Sequence, residues 1–346
     1  MKKVISAIFS LILSASLLAG CGASSAPAPT AAPAPAPTAA AETQASEAPA
    51  ASYSVAIVQQ LDHSSLDEIR TAVAAGLKAK ADAAGIQLTI SEYNGQNDPT
   101  MLGQIGAQVM GDKVDMIIPI ATLAAQTMVT AAEGTDTSIV YAAISDPVSA
   151  GLTGLDKVTG TSDALNTPFI LDMMLSANPD IKTVGLLYSN SEANSTMPIA
   201  EAKAYLDSKQ IPYIEKTGNT TDEIVTAATS LVGRVDAVFT PTDNVVMAAE
   251  VAVAEILNEA GIPHYTGADS FVQAGGFATC GVNYTELGTY TADMAFDILT
   301  GGPVPEYHVM DGGIITVNTD TAAALGIDYS VFGTMANTVV EVTTEQ

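Results

Sequence analysis

Tryptophan is absent from this chain, and cysteine occurs only twice, at Cys21 and Cys280. Without an indole there is no Trp face for a sugar ring to stack on, which counts against a carbohydrate ligand. Two cysteines, one of them in the N-terminal segment discussed below, provide neither a thiolate metal site nor a disulfide framework. Basic residues are scarce as well: 12 Lys and Arg stand against 38 Asp and Glu, giving a formal net charge of −26. That balance argues against nucleic acid and against adsorption to anionic lipid, since both need a cationic surface. The phosphate loop, the dinucleotide glycine fingerprint, the zincin His pair and the nucleophile elbow are missing from the folded part. No catalytic role, no cofactor and no metal is therefore expected.

The N-terminus carries its own message. Lys2 and Lys3 precede an apolar run from Val4 to Ala19. This run is short for a membrane span and is read as a secretory signal over residues 1–20. It ends Leu18-Ala19-Gly20-Cys21, the box read by lipoprotein signal peptidase. Cleavage is expected before Cys21, which then carries lipid. Each buried CH₂ contributes only about 0.8 kcal/mol, so stable anchoring needs more than one acyl chain. Residues 21–52 are dominated by Ala, Pro, Ser and Thr. Such a composition buries no core and is read as a semi-rigid spacer. At about 3.1 Å per extended residue, roughly thirty residues reach about 90 Å. The expected location is extracytoplasmic, with membrane attachment through the lipid alone.

Beyond Tyr53 strand-like and helix-like segments alternate. Tyr53 to Gln59 is apolar and β-branched, as in a buried strand, and Ser65 to Ala84 places Leu66, Ile69, Val73 and Leu77 at helical spacing before Gly85. Asp98-Pro99 opens a helix with Asp as cap and Pro at the first position, running to Met110 and ending at Gly111. A single helix is expected from Asn244 to Ala260. Strict alternation implies an α/β fold with parallel sheets covered on both faces. The length of the folded part exceeds one ordinary core, so two Rossmann-like lobes joined by a hinge are expected. Lobe 1 is assigned to 53–162 plus 268–310, lobe 2 to 163–267, and a hinge return with a C-terminal segment to 311–346. Cys280, in an apolar run, is expected to be a small buried residue.

In open parallel sheets ligands bind beyond the carboxyl ends of the strands. Residues just after each strand are therefore the candidates: Gln60, His63, Thr122, Ser145 and Asp146 from one half, and Asn190, Asn194, Ser195, Thr242, Asp243, Asn244 and Asp269 from the other. Arg and Lys are almost absent from these rims, so side-chain cations cannot hold a phosphate there. Helix N-termini at Thr122, Asp146-Pro147 and Asn244 offer backbone N–H groups to a carboxylate. Asp243 or Asp269 offers a partner to an ammonium. An amino acid satisfies both ends. Ser, Asp and Asn in these places are also ordinary helix caps, Asp243 above all, and His63 is read as a polar wall or a hydrogen-bond partner rather than a general base.

The chain from Ser54 to Leu299 resembles the ABC-transporter substrate-binding family that includes the tryptophan/tyrosine-type binding lipoproteins. The resemblance rests on His63 with its following helix, Tyr93-Asn94-Gly95-Gln96-Asn97-Asp98, Ile120-Ala121-Thr122, Ser145-Asp146-Pro147-Val148-Ser149-Ala150-Gly151-Leu152, Thr159-Gly160-Thr161-Ser162-Asp163, Leu187-Tyr188-Ser189-Asn190-Ser191-Glu192-Ala193-Asn194-Ser195, Pro241-Thr242-Asp243-Asn244 and Asn283-Tyr284-Thr285-Glu286-Leu287-Gly288. It implies a type I periplasmic-binding-protein fold and capture of a small solute, with aromatic amino acids as the best-known class. Tyr141, Phe169 and Tyr284 are candidates to flank an aromatic side chain. A monomer that docks on an ABC permease with its ATPase is expected. A nucleoside or sugar ligand, or a subunit presenting ligand to a sensor, is the alternative.

Overall fold

The computed structural model describes residues 51–345, so the expected signal segment, the expected lipidation at Cys21 and most of the expected spacer fall outside the described residues. Thirteen strands form two sheets among the described residues. The first sheet contains β1 (Ser52–Gln59), β2 (Gln87–Asn94), β3 (Met116–Ile120), β4 (Ser138–Tyr141) and β5 (Val158–Ser162). The second contains β6 (Val184–Tyr188), β7 (Tyr213–Thr217), β8 (Ala237–Thr240), β9 (His264–Thr266) and β10 (Ala278–Gly281). The chain then returns β11 (His308–Val309) to the first sheet and adds β12 (Ile314–Asn318) and β13 (Thr338–Val342) to the second. The strand orders are β11-β5-β4-β3-β1-β2 and β13-β12-β10-β9-β8-β6-β7. All pairings are parallel except β10 with β12.

The first strand lies inside its sheet, between β3 and β2, and its burial shows why. Val55, Ala56, Ile57 and Val58 are all within 1 % of full burial. Side chains alternate across a sheet, and here they feed two cores: Val55 and Ile57 into one, Ala56 and Val58 into another. On one face, α1 (Ser64–Ala84) buries Leu66, Ile69, Val73, Leu77 and Ala81, one stripe at helical spacing, and ends on Gly85 at φ 67°. On the other lie α2 (Pro99–Asp112) and α3 (Thr122–Ala131). Asp98 caps α2 as expected, its carboxylate accepting Thr100 N–H and Met101 N–H.

That helix runs past Gly111 and stops at Lys113, which sits in the left-handed region at φ 53°. A side chain there costs roughly 1–2 kcal/mol, and glycine's extra chain entropy offsets part of any relief. Lys113→Gly is therefore expected to stabilise the fold by about 0.5 kcal/mol, read from the midpoint of urea unfolding.

The second sheet carries α4 (Thr167–Ala177), α5 (Thr196–Lys209), α6 (Thr221–Thr229), α7 (Asn244–Met247), α8 (Glu250–Glu259) and α9 (Asp269–Gln273). The single helix expected over 244–260 is two helices. Ala249 N–H bonds back to Val246, a three-residue step that tightens the chain before α8 restarts at Glu250.

The assignment of residues 268–310 to the first lobe needs correction. Asp269 to Gly281 belongs with the second sheet, because β10 pairs with β9 in the register Ala278↔Tyr265. Only α10 (Tyr284–Leu299) and β11 return to the first sheet. There α10 packs along α1, at a closeness that needs small residues: a Cβ on Gly288 would stand 2.7 Å from Ala72 Cβ, and one on Gly76 2.8 Å from Ala292 Cβ. The hinge return and C-terminal segment, 311–346, adds β12 and β13 to the second sheet, with α11 (Thr319–Leu325) and α12 (Phe332–Met335) between them. The chain thus passes between the sheets three times, after β5, after β10 and after β11. These passages lie side by side, since Ala164, Gly281 and Gly312 line one common cavity. Among the described residues no helix is long and apolar enough to cross a membrane.

Candidate functional site

The carboxyl ends of the strands face one another across a cleft, and hydrogen bonds bridge it. Ser145 Oγ, after β4, lies 2.9 Å from Thr242 Oγ1, after β8. Gln60 Nε2, after β1, donates to Glu192 Oε1, after β6, at 3.0 Å. His63 Nε2 lies 3.2 Å from Asn244 Oδ1. Ser65 Oγ donates to Asp269 Oδ1 at 3.2 Å. Between the two edges is a cavity of about 30 Å³, room for a water or two.

Seven of the twelve candidate residues line that cavity: His63, Thr122, Ser145, Asn194, Thr242, Asp243 and Asn244. The other five do not. Gln60 is buried beside it, with its Oε1 accepting Leu123 N–H at 3.0 Å. Ser195 donates to Asp243 at 2.6 Å. Asn190 is exposed and donates to Thr217 Oγ1. Asp146 caps a turn by accepting Ser149 N–H, and no helix starts at Asp146-Pro147. Asp269 stands behind Ser65 and, like the others of this group, does not line the cavity.

The electrostatics separate residues of the same type. Asp243 is fully buried and accepts four bonds, from Ser189 N–H (2.7 Å), Ser195 Oγ (2.6 Å), Val245 N–H (3.1 Å) and Val246 N–H (3.0 Å). Both oxygens are occupied, and the N-terminus of α7 is closed by them. This removes Asn244 as a carboxylate receptor. By contrast α3 is preceded by Ala121, at φ 74°, whose side chain offers no cap. Gln60 takes the Leu123 N–H, which leaves the first turn of that helix at Thr122 facing the cavity.

Asp163 was missed as a candidate. It follows β5, is 5 % exposed and lines the cavity. It accepts Ser145 Oγ at 3.0 Å and Tyr284 Oη at 3.2 Å, and has no cationic partner among the described residues. Burial holds its carboxyl above the usual carboxylate range, against the pull of those two hydroxyls. Reading Val158–Ser162 as a strand would have exposed Asp163 by the same rule that found Ser145. Asn194 Oδ1 is also buried with no partner, while its Nδ2 donates to Thr242 O at 2.6 Å.

The apolar part of the wall was also beyond the reach of a rule about polar rims. Leu66, Met247, Phe271 and Tyr284 line it, with Ala121, Ala143 and Ala268. Of the three aromatic candidates only Tyr284 is present. Tyr141 is fully buried in a core cluster, and Phe169 lines the separate cavity at the chain passages.

His63 is held neutral, its pKa lowered by burial against the opposing effects of Asn244, Asp67 and Asp62. Thr240, His264 and Glu250 form a hydroxyl–imidazole–carboxylate chain at 2.8 and 2.9 Å, but all three are fully buried, out of reach of a substrate. No cluster able to hold a metal ion occurs among the described residues.

Comparison with known proteins agrees with this geometry. Residues 54–334 match the family model described as ABC transporter substrate binding protein. The chain is 30 % identical over 331 residues to the tyrosine-binding protein of Clostridioides difficile (strain R20291), covering 94 % of this chain and 92 % of the relative. It is 28 % identical to the ABC domain of Streptococcus pneumoniae solved in complex with L-Trp, with TM-score 0.77, covering 84 % of this chain and all of that one. A substrate-binding protein with adhesive properties from Clostridium difficile, solved ligand-free and open, is 31 % identical with TM-score 0.64, over 85 % of this chain and all of that one. Two lobes of mostly parallel sheet, a shared cleft and a family match over most of the length have one meaning: the chain belongs to the ABC transporter substrate-binding protein family.

Proposed function

We propose that this chain is the extracytoplasmic binding subunit of an ABC importer and that its ligand is an L-amino acid with a large apolar side chain, aromatic by preference. The observation that carries the reading is the division of the cavity wall. Its polar side offers the helix start at Thr122, where Gln60 takes only the Leu123 N–H, a buried carboxyl at Asp163 that meets two hydroxyls but no cation among the described residues, and a free acceptor at Asn194. The remainder is Leu66, Met247, Phe271 and Tyr284. A helix N-terminus takes a carboxylate, a buried carboxylate takes an ammonium, and sulfur and aromatic rings take an aromatic side chain. The relatives named for tyrosine and solved with L-Trp support the same class.

The ligand enters when the lobes part, since the cavity as it stands is too small for an amino acid. Bending at the three chain passages would open it, and ligand contacts on both lobes would shut it. The likeness in shape supports a shut arrangement: the L-Trp complex fits this chain better than the open structure does, despite its lower identity. In this reading the protein is a monomer, tethered by lipid on Cys21 and held off the membrane by residues 21–52. It delivers its ligand to a permease driven by an ATPase.

Isothermal calorimetry of the folded chain against the twenty amino acids, nucleosides and common sugars tests the reading. Saturable binding of L-tyrosine, L-tryptophan or L-phenylalanine is expected, with a negative heat-capacity change from apolar burial. Binding confined to a nucleoside or a sugar would overturn it.

A further inference from the structure

One carboxylate beneath the cavity ties the lobes together. Glu192 Oε1 accepts from Gln60 Nε2 at 3.0 Å, and its Oε2 accepts from Asn244 Nδ2 at 2.7 Å. Gln60 is locked in this sense. Its Oε1 accepts Leu123 N–H, and its Nε2 also reaches Asn97 Oδ1 at 2.8 Å. Glu192 Oε1 therefore always faces a donor, and any change of polarity at this carboxyl has to emerge at Oε2.

Asn244 meets Oε2 with its amide NH₂, which leaves its carbonyl oxygen toward His63 Nε2 at 3.2 Å. A carbonyl oxygen only accepts, so the neutral ring of His63 must carry its proton on Nε2. The other ring nitrogen, Nδ1, is then a bare lone pair. It is buried with no partner in the protein, on a ring that lines the cavity.

We propose that Glu192, acting through Asn244, sets His63 as a hydrogen-bond acceptor at Nδ1 for a donor group of the ligand. His63 is thereby a specificity-determining residue and Glu192 its positioning residue. The inference rests on the amino-acid reading only for the identity of that donor, an ammonium or a ring-borne N–H or O–H. A buried acceptor left unpaired disfavours ligands that bring no donor to it.

The chain of bonds is reversible. Burial, with the charge of Asp243 beside it, pushes the Glu192 carboxyl up to about 7. Asp62 and Asp67 are the charged groups that act on His63 at the other end. Asn194 neighbours this carboxyl as well, with its Nδ2 anchored on Thr242 O, so a proton arriving on Glu192 is assigned to Oε2, where Asn244 is free to turn. Asn244 must then turn its oxygen toward Glu192 and its NH₂ toward His63. The imidazole answers by accepting at Nε2 and holding its proton on Nδ1. Glu192→Gln imitates the protonated state, with its amide NH₂ facing Asn244.

The test uses the full chain with ¹⁵N-labelled histidine, wild type and E192Q, with N244A as the control that removes the middle of the relay. Long-range ¹H–¹⁵N spectra report the tautomer of each ring. Wild-type His63 is expected as Nε2–H at about pH 8, shifting toward Nδ1–H by about pH 6, the window set by the Glu192 carboxyl. E192Q is expected as Nδ1–H throughout, and N244A as a mixture independent of pH. With L-tyrosine as probe, E192Q should bind about tenfold more weakly than wild type at about pH 8, the worth of one reversed buried hydrogen bond. An unchanged Nε2–H tautomer in E192Q overturns the relay. A switched tautomer with unchanged L-tyrosine affinity overturns the claim that Nδ1 meets the ligand. Should wild type bind no amino acid, the functional reading fails, while the tautomer comparison still decides the relay.

Discussion

Replacing Asp243 by alanine is expected to lower the stability of the folded chain by about 4 kcal/mol, the sum of a lost helix cap at about 1 and two buried donors left unpaired at roughly 1–3 each. The donors are Ser189 N–H and Ser195 Oγ, and the cap is that of α7. Ser189 and Ser195 are each 1 % exposed, so both donors depend on Asp243 rather than on bulk water. Asp243→Asn keeps the shape and one accepting oxygen, and should lose roughly half as much, because its NH₂ faces donors. Urea unfolding followed by circular dichroism measures both. The same carboxylate holds Thr242 and Asn244 in position, so L-tyrosine affinity should fall in the alanine variant as well. A loss below about 1 kcal/mol in Asp243→Ala would mean that the helix start is held by something else.

The second large effect is on affinity. Asp163→Asn is expected to weaken L-tyrosine binding by roughly two to three orders of magnitude, because the ligand ammonium would then be buried without a counter-charge. Stability should change far less, since the asparagine still meets Ser145 Oγ and Tyr284 Oη. The two readouts thus separate this residue from Asp243. The sign of the pH effect follows from burial, which raises the Asp163 carboxyl in the free protein. An ammonium binds the ionised form, so wild-type affinity should rise with pH through the Asp163 range and then level off. In Asp163→Asn that rise should vanish. Calorimetry over a pH series decides it, and an asparagine variant that binds as tightly as wild type would move the ammonium elsewhere.

The contrast between these two aspartates marks what could be read in the sequence. Both follow strands of parallel sheets, where the carboxyl ends gather polar side chains. Sequence places Asp243 in that set, yet the same residue type at the same kind of position serves a helix start at Asp243 and, in the proposed reading, a ligand at Asp163. Only the count of donors around it, four for Asp243 and two for Asp163, tells the roles apart. Local signals were mixed: no helix starts at Asp146-Pro147 and α2 passes Gly111, while others held. The Asp98-Pro99 helix start and the stripe from Leu66 to Leu77 stand where spacing put them.

What escaped was non-local or weakly apolar. Val158–Ser162 has one large apolar residue in five, and its burial comes from its neighbours in the sheet. Ala278–Gly281 is held between two partners, His264–Thr266 before it and Ile314–Asn318 more than thirty residues later, and neither pairing is written in its own four residues. The apolar wall draws on Leu66 in α1, Met247 in α7, Phe271 in α9 and Tyr284 in α10, which no single stretch of sequence brings together.

The three neighbouring passages between the sheets have a mechanical consequence. A lone connection would leave each half free to swivel and tumble against its companion. Three tethers set side by side resist twist and sliding, so the softest remaining motion is a gape about the line they share. The protein's jaws would therefore meet again in the same alignment on every cycle, without having to search for it.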